Sequence, residues 1–339
     1  MLVTSKHNPN VWQLEKWAKG FYSVYGINDD KKYYSDIWLP ATSHASTVAE
    51  GVRLNKHEDT IYYLGNVLAW VLSFVERFRL DLNVSKAGRS TLRKHGECWT
   101  DWILHKFPGV CHICGKSPCI CATLRDVMEL RKGERKFEFE SLMKTREKPI
   151  KQAYAKMVQR GEASRTMPQL FDMFKEIYGG TLWGMDISDI AFHFVEEIGE
   201  VSKEISYLEA ICGGHTKDDW GNYVEITKGV RVWDKYSIVC LGLMHELADV
   251  FSWVTALCFK ACQLSSEQWQ SRDVLIKLYT GQILQDKGRH SVTITGDRIK
   301  FVCRYCEEET CSSGCVQKQV RKRLMDGRNE MEKKFAYES

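Results

Sequence analysis

The chain has 339 residues, of which 44% are hydrophobic and 27% are charged, a composition typical of a globular protein with a buried core. Its 48 basic and 44 acidic residues leave a net charge of +4, too balanced to indicate nucleic-acid binding by itself. No apolar run approaches the roughly 20 residues of a membrane span, and the N-terminus shows no signal peptide. We therefore expect a cytoplasmic protein without a membrane partner. In that reducing compartment its 13 cysteines indicate metal ligation or buried thiols more than disulfides.

Several segments recur in the same order in the two halves of the chain, which indicates a tandem repeat. The matching pairs are QLEKWAKGFY (13–22) with QLFDMFKEIY (169–178), LGNVLAWVLSF (64–74) with LADVFSWVTAL (247–257), and DWILHKFPG (101–109) with DVLIKLYTG (273–281). Each copy then ends in a box of four cysteines. The sequence therefore predicts a first repeat at 1–122, a charged helical linker at 123–165, a second repeat at 166–315 and a charged helical tail at 316–339.

Outside the cysteine boxes, apolar residues recur at spacings of three and four, which is typical of amphipathic helices. We expect the linker helix to break near Pro149, because proline removes a backbone donor. Two stretches alternate instead and predict β-hairpins, 222–234 with its turn at 228–229 and 291–302 with its turn at 296–297. The predicted fold class is mainly α, with helices packed on helices and small hairpin insertions.

In the helix predicted around residues 190–205, acidic side chains lie beside the apolar stripe. On a helical wheel Glu197 and Glu200 border the stripe, whereas Glu196 lies further round. The two bordering acids are three residues apart and can point at one place. The stripe consists of Ile190, Phe194, Ile198, Val201 and Ile205.

A second helix, LGLMHELADVFSWVTALCF (241–259), is apolar nearly all round, which predicts burial, yet it contains Glu246 and Asp249. A buried carboxylate is costly unless it is paired or binds a cation. Four carboxylates on two facing helices would suit Mg²⁺ or Mn²⁺. The alternative is a pair of solvated surface acids on each helix.

The strings EEIGE (196–200) and ELAD (246–249) together resemble the E-E-x-x-E … E-x-x-D signature of the MazG-like all-α nucleoside triphosphate pyrophosphohydrolases. The resemblance implies a four-helix core, usually built by a dimer, and hydrolysis of a nucleoside triphosphate to a monophosphate and pyrophosphate. It also implies roles for five acids. Mg²⁺ would be held by Glu197, Glu200, Glu246 and Asp249, and Glu196 would orient or deprotonate water.

The insertion at 201–245 is longer than the family usually has, which leaves the base and sugar preference open. Cationic side chains in the second repeat are candidates to bind the triphosphate by position alone, with ordinary surface charge as the alternative. Tryptophans are candidates to stack on a base, with packing as the alternative. The cations are Lys203, Lys228, Arg231 and Lys277, and the tryptophans are Trp220, Trp233 and Trp253.

The first repeat lacks most of these acids. In alignment with the second repeat, Ala49, Glu50, Arg53, Tyr63 and Asn66 stand at the five acidic positions. An arginine in a Mg²⁺ cage is electrostatically hostile, so we predict no such site in the first repeat. We expect this copy to pack on the second repeat as an internal pseudo-dimer, and further homo-oligomers remain open.

Two cysteine boxes of similar spacing predict two structural Zn²⁺ sites, because four thiolates on a short loop suit tetrahedral zinc. An Fe–S cluster and disulfides are the alternatives, and His105 or His112 could replace one ligand in the first box. The first box is Cys111, Cys114, Cys119 and Cys121, and the second is Cys303, Cys306, Cys311 and Cys315.

Two functions follow from these features. The first is a Mg²⁺-dependent nucleotide pyrophosphohydrolase with one active and one degenerate repeat. The alternative is a non-catalytic sensor or scaffold of the same fold that binds a nucleotide or nucleic acid, although the charge balance does not favour nucleic acid.

Overall fold

A computed structural model of the chain describes residues 8–25, 33–84, 86–119, 136–161, 165–180, 185–212, 215–217, 223–225, 232–266, 269, 272–282, 291–295, 298–303 and 308–309. These residues are mainly helical, as the sequence predicts. The helices are α1 (Leu14–Tyr25), α2 (Tyr34–Arg53), α3 (His57–Val84), α4 (Lys86–His95), α5 (Trp99–Lys106), α6 (Lys136–Gln159), α7 (Met167–Tyr178), α8 (Ile187–Cys212), α9 (Val232–Leu264) and α10 (Val274–Tyr279). The strands are β1 (His215–Lys217), β2 (Tyr223–Glu225), β3 (Val292–Thr295) and β4 (Arg298–Phe301).

A tight turn joins α2 to α3 and makes them an antiparallel hairpin. Asn55 has a φ of 54°, in the left-handed region that asparagine tolerates. The Lys56 N–H donates to the Gly51 carbonyl at 2.8 Å. A Cβ on Gly51 would lie 2.8 Å from Thr60 Oγ1, so glycine is what allows the two helices to approach so closely.

The second hairpin consists of α8 and α9, which also run antiparallel. Trp253, in the second half of α9, donates its indole N–H to Glu197 in the first half of α8 at 3.2 Å. Gly242, near the start of α9, lies against Glu204 further along α8. The two acidic segments predicted from the sequence therefore sit on neighbouring helices.

The insertion between α8 and α9 differs from the hairpin that the sequence predicts at 222–234. Strand β2 lies in that stretch, but it pairs upstream with β1, with Thr216 opposite Val224. Residues from Val232 onward belong to α9, so the predicted returning strand is wrong, and its turn at 228–229 lies outside the described residues. A few alternating apolar residues do not distinguish a strand from the first turn of a buried helix. The second predicted hairpin agrees with β3 and β4, which pair with Thr295 opposite Arg298.

The two hairpins pack against each other as a four-helix core. Helix α2 lies against α8, and α3 lies against α9. The Trp38 indole donates to Ser202 Oγ at 3.0 Å across the first contact, and Ser265 Oγ donates to Glu58 at 2.9 Å across the second. One continuous set of buried apolar side chains spans both hairpins. Neither hairpin therefore has a core of its own in the described structure.

The segments that follow this core are exchanged between the two halves. Phe107, at the end of α5, packs on Phe174 of α7 with ring centroids 5.1 Å apart. Tyr279, the last residue of α10, packs on Phe21 of α1 with centroids 4.9 Å apart. Phe107 and Tyr279 occupy matching positions in the two sequence repeats, so each half covers the first helix of the other.

The linker helix α6 continues through Pro149. The predicted break at this residue is wrong. A proline inside a helix removes one backbone hydrogen bond and favours a kink, but it does not by itself end a helix whose later turns are anchored. Met157 anchors the last turn, because it is buried in the core. The remainder of the predicted linker at 123–135 and the tail at 316–339 lie outside the described residues.

Helix α9 contains a segment, Tyr236–Leu264, that is long and apolar enough to cross a membrane by length and composition alone. In the most apolar 18-residue stretch of this segment, 56% is buried inside the protein. Helices α3 and α8 lie against it. A central helix of a helical core has this same apolar character, so the pattern fits the packing that the structure describes.

Separating the two halves should unfold the second. We expect a fragment of residues 166–315 to lack a cooperative thermal transition, because α8 and α9 would expose the apolar face that α2 and α3 cover. Circular dichroism melts of the fragment, of the full chain, and of the fragment mixed with residues 1–165 would measure this. A monomeric fragment that melts cooperatively near the temperature of the full chain would contradict the shared core.

Candidate active site

Three of the predicted acids converge at the contact between α8 and α9. One carboxylate oxygen each from Glu197, Glu200 and Glu246 lies within 4.8 Å of the other two. The α8 residues flank a stripe that is buried in the core, and Glu246 comes from the helix beside it. The antiparallel packing of the two helices therefore produces the convergence that the helical wheel predicts.

Glu197 is the most constrained member of this carboxylate cluster. Its Oε1 accepts the Trp253 indole N–H at 3.2 Å. Its Oε2 is buried and has no hydrogen-bond partner among the described residues. Burial, reinforced by the charge of Asp249, raises the pKa of Glu197 from 4.5 to about 9. An orphaned buried oxygen of this kind is costly unless a cation or a proton satisfies it.

Asp249 lies beside the cluster and is paired with a lysine from the first half of the chain. The Lys106 ammonium contacts Asp249 Oδ2, and the two side chains are only 16% and 15% exposed. The same ammonium donates to the His245 carbonyl at 3.3 Å. Burial raises the pKa of Asp249, and the charge of Lys106 opposes that rise. Lys106 is not among the residues that the sequence predicts for the site. In the repeat alignment this lysine stands where the second repeat has the apolar Leu278, and that difference is the one sequence feature that sets it apart.

The carboxylate cluster of Glu197, Glu200 and Glu246 could hold a divalent cation. Burial raises the pKa of Glu246 to about 7, the neighbouring acids Asp249 and Glu200 add to that rise, and the charge of Lys106 opposes it. A single ammonium does not balance four ionised carboxylates, and the buried oxygen of Glu197 could be satisfied by a proton or by a cation. Hard oxygen donors of this type are those that Mg²⁺ and Mn²⁺ prefer in proteins.

The fifth predicted acid, Glu196, lies at the exposed edge of the cluster. Its Oε2 is 3.1 Å from His193 Nδ1. His193 in turn stacks on Trp253, with ring centroids 4.9 Å apart. Trp253, one of the tryptophans considered for base stacking, therefore has one face covered by His193, and its indole N–H is bonded to Glu197.

Two of the predicted phosphate-binding cations, Lys203 and Lys277, are described, and each has a contact away from the carboxylate cluster. Lys203 is exposed and lies over the ring of Tyr207. Lys277 pairs with Asp273 at 3.2 Å on α10, which packs against α3. Lys228 and Arg231 lie outside the described residues, as does Trp220, and the side chain of Trp233 is likewise not described.

The matching place in the first half has a different character. Glu50 and Arg53 form an exposed pair at 3.7 Å. Tyr63 stacks on His44 with centroids 6.1 Å apart, and Asn66 is buried. Among the described residues the carboxylates gather only on α8 and α9.

The first cysteine box is a compact thiol cluster that could hold a metal. One Sγ each from Cys111, Cys114 and Cys119 lies within 4.8 Å of the others. The Cys111 N–H donates to the Lys116 carbonyl at 2.9 Å and closes the turn around them. The fourth predicted ligand, Cys121, lies outside the described residues.

Neither histidine considered as a replacement ligand belongs to this thiol cluster. His112 Nδ1 is 3.2 Å from the Tyr178 hydroxyl. His105 stacks on Tyr154 with ring centroids 4.1 Å apart. Both rings are held in contacts with aromatic residues of other helices, so the predicted substitution is not seen.

The second cysteine box begins with the same kind of hydrogen-bonded turn as the first. The N–H of the buried Cys303 donates to the Glu308 carbonyl at 2.9 Å, the same five-residue spacing as in the first box. Cys306, Cys311 and Cys315 lie outside the described residues. No cysteine in the described part of the chain forms a disulfide.

Comparisons with protein-family models, with curated proteins and with solved structures find no match to this chain.

Without a divalent ion, the Glu197 carboxyl should make stability depend on pH. The folded state keeps a proton on this group up to about pH 9, whereas the unfolded chain releases it near 4.5, so its contribution is lost as pH rises between these values. We therefore expect Glu197→Gln to gain stability relative to the parent protein as pH rises. Urea unfolding in EDTA from about pH 5 to pH 9 measures this linkage.

The exposed Glu176 on α7 offers a matched control, since Glu176→Gln should track the parent protein at every pH. A stability difference between Glu197→Gln and the parent that shrinks with rising pH would contradict the protonated, buried carboxyl.

Proposed function

We propose that the chain is a Mg²⁺-dependent, MazG-like nucleoside triphosphate pyrophosphohydrolase whose active site lies in the second repeat. One observation carries the proposal, namely the convergence of Glu197, Glu200 and Glu246 beside Asp249, whose side chain is only 15% exposed. Acids in this arrangement are costly for a purely structural core, so a function that needs a cation explains them best.

The four acids would hold the divalent ion. When bound, the ion would supply positive charge against the triphosphate and lower the pKa of water. The residues around it supply rigidity. The Trp253 indole N–H donates to Glu197 Oε1 at 3.2 Å and would hold that carboxylate in place. Such preorganised carboxylates need little rearrangement during a reaction.

Hydrolysis between the α and β phosphates breaks one anhydride bond and requires a water molecule to lose a proton. Glu196 is our candidate for this task, because it precedes Glu197 on α8, is 51% exposed and is hydrogen-bonded to His193. The histidine orients the carboxylate and leaves its second oxygen available for water. Glu196 would thus orient or deprotonate the attacking water.

The first repeat would serve as the built-in partner of the second. In the family that the acids resemble, two subunits usually build each core. Here α2 and α3 pack on α8 and α9 within one chain, which supports an internal pseudo-dimer of two MazG-like repeats. We infer a cytoplasmic enzyme that acts on a free nucleotide, and further association of whole chains remains compatible with this arrangement.

We also propose that both cysteine boxes bind structural Zn²⁺. Three converging thiols in the first box and the matching turn at Cys303 support this assignment. Closed thiolate sites stabilise a fold and have no open position for a substrate. The first box lies close to α7, since the Cys119 N–H donates to the Ile177 carbonyl at 2.8 Å. Zinc would therefore tie the end of the first repeat to the second.

One observation favours a second candidate function, a non-catalytic nucleotide sensor. Lys106 already neutralises Asp249, as it would in a carboxylate cluster that never binds an ion. A sensor would bind a triphosphate without turnover. The assay below distinguishes the two functions, because it measures product as well as binding.

A panel of canonical and deoxynucleoside triphosphates with Mg²⁺ should yield a monophosphate and pyrophosphate from at least one substrate. Glu246→Gln should reduce turnover by about 100-fold, because it removes a ligand charge. It should not lower the melting temperature, since burial already disfavours the Glu246 carboxylate. Glu176→Gln is the matched control. Undiminished turnover in Glu246→Gln would exclude this acid, and binding without product would favour the sensor.

The purified full chain should contain about two zinc ions per molecule. Replacing Cys114 by serine should remove about one of them and lower the melting temperature, because the first box loses a ligand. Elemental analysis together with thermal melts measures both effects. Cys212→Ser is the control, since this exposed thiol belongs to neither box. A protein that contains iron, or no metal, would contradict the zinc assignment.

A further inference from the structure

Lys106 reaches the carboxylate cluster from the first repeat, at the last residue of α5. We propose that the active site is shared by both repeats. Lys106 holds Asp249 before a divalent ion binds, and it pairs with the phosphates of the substrate once the ion has taken its place. This inference rests on the proposed function, and it gives the degenerate repeat a direct part in the reaction.

The internal repeat provides a built-in comparison for this contact. Lys106 and Leu278 occupy matching positions, as do Asp249 and Asn66. Leu278 packs so closely on Gly65, next to Asn66, that a Cβ on Gly65 would overlap it. The fold therefore brings the same two segments together twice. At one contact the apolar Leu278 lies against the segment of the neutral Asn66. At the other contact the cationic Lys106 pairs with the anionic Asp249.

This comparison argues against a lysine that merely fills space. The second contact shows that leucine is sufficient to pack the end of this segment on the neighbouring helix. A buried ammonium costs more than leucine unless charge compensates it. The Lys106 ammonium contacts Asp249 beside the carboxylate cluster. We therefore infer that the lysine is used for its charge and not for its packing.

The position of the ammonium suits it for exchange. It contacts Asp249 Oδ2 and the His245 carbonyl, both on α9. It is the last residue of its helix, and its four-carbon stem lets the ammonium move without moving α5. A divalent ion held by Asp249 would repel an ammonium at the same oxygen, so ion and lysine compete. A displaced ammonium would remain beside the cluster, where a triphosphate brings several negative charges.

Lys106→Gln tests the proposal, because glutamine retains an N–H donor for Asp249 and removes the charge. Mn²⁺ affinity, measured by electron paramagnetic resonance, is a readout that does not depend on turnover. We expect Lys106→Gln to bind Mn²⁺ about tenfold more tightly than the parent protein and to lose about 100-fold in kcat. Lys106→Arg should restore most of the kcat and the parent affinity.

Lys19→Gln is the matched control, since this exposed lysine on α1 should change neither quantity. A structural bridge between the repeats predicts the opposite pattern, with Mn²⁺ binding, melting temperature and kcat all falling together in Lys106→Gln. If Lys106→Gln does not fold, the double variant Lys106→Leu with Asp249→Asn reproduces the contact of the first repeat. We expect the melting temperature of this double variant to be close to that of the parent protein. A clearly lower melting temperature would contradict the equivalence of the two contacts.

The two proposals fail in different ways. If the parent protein binds Mn²⁺ and hydrolyses a triphosphate but Lys106→Gln behaves like Lys19→Gln, the shared site is wrong and the hydrolase stands. If Lys106→Gln binds Mn²⁺ more tightly but no variant hydrolyses a triphosphate, the competition stands and the hydrolase is wrong. Absence of Mn²⁺ binding in every variant would overturn both.

Discussion

The packing of one helical hairpin on another is the constraint on which the rest of the molecule depends. Each hairpin has an apolar face that water would penalise, and α2 against α8 with α3 against α9 buries both faces at once. The segments that follow then cross over, so that Phe107 covers α7 and Tyr279 covers α1. Because of this exchange, α5 ends against α9, and only there can Lys106 meet Asp249.

Burial at the contact between α8 and α9 gives the carboxylate cluster its chemical character. In water, four neighbouring carboxylates would simply be ionised. Here burial raises the pKa of Glu197 to about 9 and that of Glu246 to about 7, so the same acids resist full ionisation. A divalent ion would remove that resistance. The apolar packing that stabilises the helices thus also makes ionisation of these acids depend on a nearby positive charge.

Sequence patterns were sufficient for the helical class of the fold and for the convergence of three acids. The helical wheel placed Glu197 and Glu200 beside the stripe, and the apolar run around Glu246 indicated burial, because both properties follow from spacing within one helix. Lys106 could not be found this way, since its role depends on where α5 ends in three dimensions. The strand β1 was also missed, because three residues carry little periodicity, and local alternation did not reveal that α9 begins at Val232.

The two halves exchange matching segments, but the residues at the matching contacts differ in chemistry. Gln13 and Thr166, which lie just ahead of the first helix of each half, meet in a single antiparallel bridge. The two matching contacts at the ends of α5 and α10 differ. Leu278 packs on Gly65 at one of them, and Lys106 pairs with Asp249 at the other. A homodimer must carry the same residues at both places, whereas a fused pair does not. A single chain can therefore carry an apolar packing contact at one place and a buried ion pair at the other, although the buried charge is costly for stability.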